Sequence, residues 1–474
     1  VAKQIQGLTA YLAEQGLAFQ YAALPESVRE IARHTLLDGF SVLLAGWSDP
    51  AVQLLRAELL EQGSLPAATL WGSSERLGLS DAALLNGMAS HVLDFDDAHL
   101  ASRVHPSVVL WPALLAAGEA QDSTGSALLT AFVSGVEIQA QIAALLGPTH
   151  YQQGWHSTAT LGSFGATVAA GRLYGLEPSS LCQALGIAAT LTGGLRASFG
   201  TPCKPLHAGR AAANGLMAAR LARRGFGAVE DIFERPEGFL AVLSGQKAPL
   251  PPYGPVLQAC ASTQQILFKY HASCYGTQAP IETALALRHA LSKNALTLAA
   301  VSDVQIAVEP QYLSVCNIAE PQNAMEARFS LRHMLALALA GWSTVDERSF
   351  SPLALQDTQL KALRQSITVN ADPQLARAQA QLSAQVNGNR LSFSVNASRP
   401  ATKLPEQRRR LCDKSSHLLA PYLTEQRIQE VQALLLSIDQ FDSLRQWTQQ
   451  LSRLLQGARF AEPALSRLAG YLSP

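Results

Sequence analysis

The chain has 474 residues, 48% of them hydrophobic and 15% charged. At roughly 100–200 residues per domain that describes a multi-domain globular protein with sizeable cores and excludes a disordered chain. Its 36 basic and 36 acidic side chains cancel, so the basic field that nucleic-acid binding requires is missing.

In chain order, the first ~265 residues read as helix after helix. Val28, Ile31, Ala32, Leu36, Leu37, Phe40, Leu43 and Leu44 form an apolar stripe over 26–45, with Gly46 as a stop signal. Ser80 before Asp81 reads as an N-cap. Helices are expected over 127–146, 160–173, 179–191 and 207–223, all rich in Ala and other small residues that allow close packing. After Lys269 the texture changes. Val301, Val304, Ile306 and Val308 alternate as a strand, and 366–370 reads as another. Two further strands, 381–386 and 390–395, flank Asn387-Gly388-Asn389, a hairpin signal. Helices lie between them at 280–291 and 325–340, and the helical pattern returns from about Leu423 to the C-terminus. The expected fold is mainly α: a helical domain built from residues 1–267 and 401–474, with an α+β domain inserted at 268–400. No apolar run approaches the ~18–20 residues of a membrane span. The six cysteines form no CxxC pair, and Val1–Ile5 open no apolar leader, so the expectation is a cytoplasmic protein without nucleic-acid or membrane partners.

The densest polar string runs from Asn86 through His91, Asp94, Asp96, Asp97 and His99 to His105. If it is helical, His91 and Asp94 pair at i, i+3, while Asp94 and Asp97 share a face and repel. A metal site, acid/base catalysis by Asp94 with a histidine, and a solvated helix end all fit that string. It carries no HExxH or other known ligand spacing. A second cluster, Gly154 to Gly165, places His156 before a helix whose free N–H groups could hold a carboxylate; a capped packing helix fits equally. The chain has eight lysines. Lys204 and Lys269 are cations in apolar contexts, suited to an anionic ligand or to snorkelling. Cys274 reads as a nucleophile, a proton donor or a small buried hydrophobe. The absence of a GxSxG elbow, a P-loop and a strand-linked GxGxxG argues against typical α/β-hydrolases, nucleotidases and Rossmann dehydrogenases.

Taken together, Asn86-Gly87 with His91 and Asp94 to Asp97, His105-Pro106-Ser107, Gly154-Trp155-His156, Lys204 to Gly209, Asn214-Gly215, Lys269 with Cys274, and Glu326 to Leu331 resemble the MmgE/PrpD family. The resemblance implies a large helical domain with a smaller α+β lid, a homodimer, and no metal or other cofactor. It also implies a small carboxylate substrate and proton transfer beside a carboxylate. The family includes 2-methylcitrate dehydratase, cis-aconitate decarboxylase and iminodisuccinate epimerase. The leading expectation is a cofactor-independent lyase of dehydratase type acting on a di- or tricarboxylate. An epimerase, a decarboxylase and a carboxylate-binding protein without catalysis are the alternatives. The matching positions assign acid/base roles to His156, Asp94 and His105, and carboxylate binding to Lys204, Lys269, Cys274 and Gln278. In two places the chain departs from relatives: Ala98 stands where some have Thr, and Gln278 where His is common. Gln hydrogen-bonds but does not shuttle protons near neutral pH.

Overall fold

The structure, a computed structural model, describes residues 7–244 and 260–460. Within these it divides into two compact units, one running to Ile266 and resuming at Lys403, the other Leu267–Thr402.

The principal helices of the first unit are α1 (Glu26–Gly46), α2 (Leu79–His91), α3 (Ser107–Gln121), α4 (Gly125–Leu146), α5 (Ser157–Leu173), α6 (Pro178–Leu191) and α7 (Cys203–Arg223). The span expected from residue 26 starts in place, and the four expected from 127, 160, 179 and 207 start one to four residues late, because side-chain periodicity does not see the first helical turn. Ser80 is not the cap: α2 begins one residue earlier, behind Gly78. A two-stranded hairpin, β1 (Ala68–Thr69) with β2 (Arg76–Leu77), is too short to show in the sequence pattern.

Small residues explain how the site is assembled. α7 lies between α2 and α5 with backbone almost in contact on both sides. A Cβ on Gly87 would stand 2.8 Å from the Gly209 Cα, and one on Gly215 would collide with Ala166. Glycine is the residue that permits such an approach, and it brings the end of α2 beside the start of α7.

α4 is long and apolar enough, by length and composition, to cross a membrane; Glu137 and Gln139 hide this from a search for uninterrupted apolar runs. In the fold it is a core helix, with Phe132, Val136 and Ile138 fully buried. Its Glu137 carboxylate accepts hydrogen bonds from the Thr263 N–H and hydroxyl, at 2.7 and 2.8 Å.

The second unit packs α8 (Tyr275–Lys293) and α9 (Leu331–Ala340) with a four-stranded sheet: β3 (Val301–Val308), β4 (Thr368–Ala371), β5 (Gln379–Val386) and β6 (Asn389–Asn396), in the order β4-β3-β5-β6. The Asn387-Gly388 hairpin is present, in the register Val386↔Asn389. Both turn residues have positive φ, 49° and 80°, as the favoured two-residue turn demands. The strand expected from Ser366 starts at Thr368, since Ser366 ends a helix, and the helix expected over 325–340 breaks between Arg328 and Leu331. After Lys403 the chain returns to helix as α10 (Leu404–Leu419), α11 (Glu425–Leu436) and α12 (Leu444–Leu455). The expected helix beyond 460 lies outside the described residues.

Candidate active site

α2 stops at His91, and the next fifteen residues form a buried irregular loop before α3. Asp94 has φ 50°, in the left-handed region, so the polar string is not helical. The expected i, i+3 pair of His91 with Asp94 and the shared face of Asp94 and Asp97 are therefore absent. The three carboxylates instead fan out in different directions.

Asp94 accepts from Lys204 Nζ at 2.5 Å, and both side chains are largely buried. Asp96 is fully buried, with Oδ1 3.0 Å from His91 Nδ1 and Oδ2 2.8 Å from His105 Nδ1. His105 Nδ1 is equally close, at 2.8 Å and with hydrogen-bond geometry, to the Asp97 carbonyl. A carbonyl only accepts, so His105 Nδ1 carries the hydrogen and its Nε2 is left as the basic nitrogen. Asp97 turns away to the start of α3, taking the Ser107 hydroxyl at 2.5 Å and the Ser107 N–H at 3.1 Å.

Two further imidazoles complete the group. His156 is the residue before α5 but makes no cap bond. Its Nδ1 faces His207 Nδ1 at 3.1 Å. His91 stacks near it at 6.3 Å and tilts against His105 at 4.8 Å, so His105, His91, His156 and His207 form a continuous row. Phe199 meets the edge of His156 at 4.9 Å and lies 5.6 Å from the Lys204 ammonium. Lys204 and His207 are i, i+3 neighbours on α7 and share a face.

Burial and the surrounding cations set the charge state. His156 is pushed well below the usual imidazole range by burial, then by His91, Lys204, His105 and His207. His91 falls to about 4, chiefly by burial and against the pull of Asp96. Asp96 lies well below the ordinary carboxylate range: His91 and His105 outweigh its desolvation. Burial pushes Asp97 up to about 8, helped by Asp96 and Asp38 and opposed by the Ser107 bonds. The site thus has a buried ionised carboxylate in Asp96, an ammonium in Lys204 and neutral imidazoles in His91 and His156.

His91, Asp96 and His105 also offer three ligand-type atoms within 4.8 Å of one another, enough to hold a metal ion. Both imidazoles already direct Nδ1 at the one carboxylate, so an ion would have to displace those two contacts.

Of the expected site residues, Asp94, His105, His156 and Lys204 come together in the first unit. Lys269, Cys274 and Gln278 belong to the second. Lys269 is buried. Cys274 precedes α8, and its thiol hydrogen-bonds Cys316, which that bond and burial push well up. The Gln278 amide is engaged by backbone: Oε1 accepts from the Tyr270 and His271 N–H groups, and Nε2 donates to the His271 carbonyl. Sequence reasoning named His91 and His207 only as motif residues and gave neither a role in the group. The i, i+3 spacing of Lys204 and His207 was the available signal. The loop closure between His91 and Asp96 left none.

The MmgE/PrpD N-terminal domain model matches residues 10–251, and the MmgE/PrpD C-terminal domain model matches residues 271–439. A cis-aconitate decarboxylase-like protein of Aspergillus oryzae is 34% identical, over 55% of this chain and 57% of that protein. The cis-aconitate decarboxylase of Aspergillus terreus is 27% identical, over 92% of this chain and 94% of that protein. The human cis-aconitate decarboxylase is 28% identical over 65% of each. The chain belongs to the MmgE/PrpD family and is an enzyme of lyase type.

Proposed function

We propose that this MmgE/PrpD enzyme decarboxylates a small tricarboxylate of the cis-aconitate type, using its own side chains and no cofactor. The observation that carries the reading is the Lys204–Asp94 pair standing beside a buried row of imidazoles. The relatives named above support the choice of decarboxylation over the other reactions of the family.

In such a substrate one carboxylate sits one carbon away from a C=C bond. Its C–C bond breaks, that electron pair becomes a new C=C, and the old alkene pair takes a proton at its far carbon. Carbon dioxide leaves, and one proton is consumed. The site must therefore hold the retained carboxylates and deliver a proton to carbon. Lys204 is the cation for a carboxylate. His156 is the donor, with His207 behind it to replace the proton.

A neutral imidazole is a poor acid, and the substrate itself supplies the correction. A unit negative charge about 5 Å away, at an effective dielectric constant of about 20, contributes roughly 3 kcal/mol, or about two pKa units. Carboxylates placed on Lys204 therefore remove one cause of the low His156 pKa and add an opposing one.

The neutral His156 also favours a second reading, dehydration of a hydroxy acid, in which a base first removes a proton beside a carboxylate. The roles that the resemblance assigns to Lys269 and Cys274, and the homodimer it implies, belong to the same proposal. Substitution of Lys269 and sedimentation address them separately.

Proton NMR in D2O with cis-aconitate, citrate, 2-methylcitrate and iminodisuccinate tests the assignment. Carbon dioxide release with deuterium at the former vinyl carbon is expected. A new vinyl signal from a hydroxy acid without carbon dioxide makes the enzyme a dehydratase. Exchange with inversion makes it an epimerase, and an unchanged panel overturns the lyase reading.

A further inference from the structure

We infer that Lys414, more than 300 residues away in sequence, is a positioning residue that fixes the loop carrying Asp94 and Asp96. Only the kinetic part of the inference rests on the proposed reaction.

Lys414 lies on α10, and its side chain is 3% exposed. The ammonium donates to the Phe95 carbonyl at 2.6 Å, meets Asp38 Oδ1 of α1 at 2.6 Å, and lies 3.9 Å from the centre of the Phe95 ring. Hydrogen bonds on both sides hold α10 along α1: His34 Nδ1 to Gln407 Oε1 at 2.9 Å, and the Ser41 hydroxyl to Ser415 Oγ at 2.8 Å. The ammonium thus reaches the loop from a braced base.

A buried ion pair is a weak device for stability, since apolar side chains of similar volume often serve as well. What this pair adds is geometry. The peptide unit is planar, so holding the Phe95 carbonyl also fixes the plane of the Asp96 N–H. The residue before Phe95 is Asp94, which holds Lys204; the residue after it is Asp96, which holds His91 and His105. One hydrogen bond from α10 therefore sets the direction from which both carboxylates leave the loop. A displacement of about 1 Å in such an arrangement can cost roughly 100-fold in rate. Asp38, the other partner of Lys414, is also among the charges that raise Asp97, so the pair borders the same carboxylate cluster.

Three variants separate positioning from mere pairing: Lys414→Met, Asp38→Asn and the double variant. Lys414→Met should lower kcat by at least ~10-fold with KM within ~3-fold, the pattern of a misplaced reacting group. Asp38→Asn keeps the donor to Phe95 and should lose less. The double variant removes both charges of this pair and should recover the melting temperature that Lys414→Met loses, yet remain slow. Return of the double variant to wild-type kcat overturns the inference, because Lys414 would then serve only Asp38. A substrate-free readout accompanies these: the ring C–H resonances of His91 and His105 should move in Lys414→Met and in the double variant. Unmoved resonances refute the positioning role even if no substrate is turned over, whereas an inactive wild type with shifted resonances in the variants refutes only the proposed reaction.

Discussion

His156 and His207 face each other Nδ1 to Nδ1 at 3.1 Å, so one ring must donate to the other and the pair shares a single hydrogen at that contact. Burial lowers the pKa of both. The arrangement suits a ring that gives up a proton and is then recharged by its neighbour.

Replacing His156 by Ala should therefore lower kcat at least ~100-fold, the scale of a lost acid/base group. His207→Phe keeps a ring of similar shape but removes the shared hydrogen, so it should lower kcat by a smaller factor and move the pH–rate profile. Steady-state kinetics across pH 5–9 measures both. Unaltered turnover in His156→Ala removes that ring from the chemistry.

Lys204 is the cation proposed to hold a substrate carboxylate, and its ammonium is bonded to Asp94 in the structure. Lys204→Ala should raise KM by more than ~10-fold with a smaller change in kcat, the pattern of binding shared by ground and transition states. It should also take the Lys204 ammonium away from the largely buried Asp94 carboxylate. A variant with wild-type kcat and KM would make Lys204 a structural partner of Asp94 alone.

The same residues show what the sequence could and could not convey. Element types were legible because apolar spacing reports which face is buried: the stripe from Val28 to Leu44 gave α1, and Asn387-Gly388 gave the hairpin. Four candidate site residues were legible as types in a motif, but their pairing was not. Helical spacing joined His91 to Asp94. The left-handed turn at Asp94 joins His91 to Asp96 instead and frees Asp94 for Lys204. A backbone reversal at a non-glycine residue leaves no mark in periodicity. The contribution of Lys414 was hidden for a different reason: it depends on α10 docking along α1, a contact between the two ends of the unit.

Stability should depend on pH through buried neutral histidines. His91, His99, His150 and His333 are each lowered to about 4, and His156 lies well below its ordinary value. Between about pH 4 and 6.5 the unfolded chain binds these protons and the folded chain does not, so stability rises with pH across that window. Asp97, raised to about 8, acts in the opposite sense: its folded form keeps a proton that the unfolded form loses near pH 4. Its contribution is full below that point and is lost as pH rises through 8. These five histidines, together with His207, which burial also lowers, outweigh one carboxylate up to about pH 6.5, and above that the carboxylate dominates. Melting temperature measured from pH 4.5 to 8.5 should peak near pH 6.5 and fall by roughly 5 °C or more toward the acid end. A flat profile would mean that these imidazoles are hydrated and titrate normally.

The metal question has a direct answer in activity measurements. His91, Asp96 and His105 could hold an ion, but both imidazoles already turn Nδ1 toward the Asp96 carboxylate. Turnover should survive prolonged EDTA treatment, and metal analysis of the active protein should find less than one equivalent. Loss of activity on chelation, restored by a divalent ion, would replace the hydrogen-bonded reading of this cluster with a metal centre.

The helix crossing at Gly87 and Gly209 should be the least tolerant point of the scaffold. A Cβ on Gly209 would collide with the Leu84 carbonyl, and one on Gly87 would press on Gly209 from the other side. Backbone cannot rotate away as a side chain can, so Gly209→Ala should push α2 from α7 and cost about 2 kcal/mol or more, within the usual range for overpacking. The same displacement would separate His91 and Asp94 on one side from Lys204 and His207 on the other, so activity should fall further than stability alone explains. Gly227→Ala is the control: nothing lies within 4 Å of its added Cβ, and its φ is not in the left-handed region. Melting temperature and kcat of the two variants, measured side by side, decide the matter. Equal behaviour would show that the two helices can separate without disturbing the site.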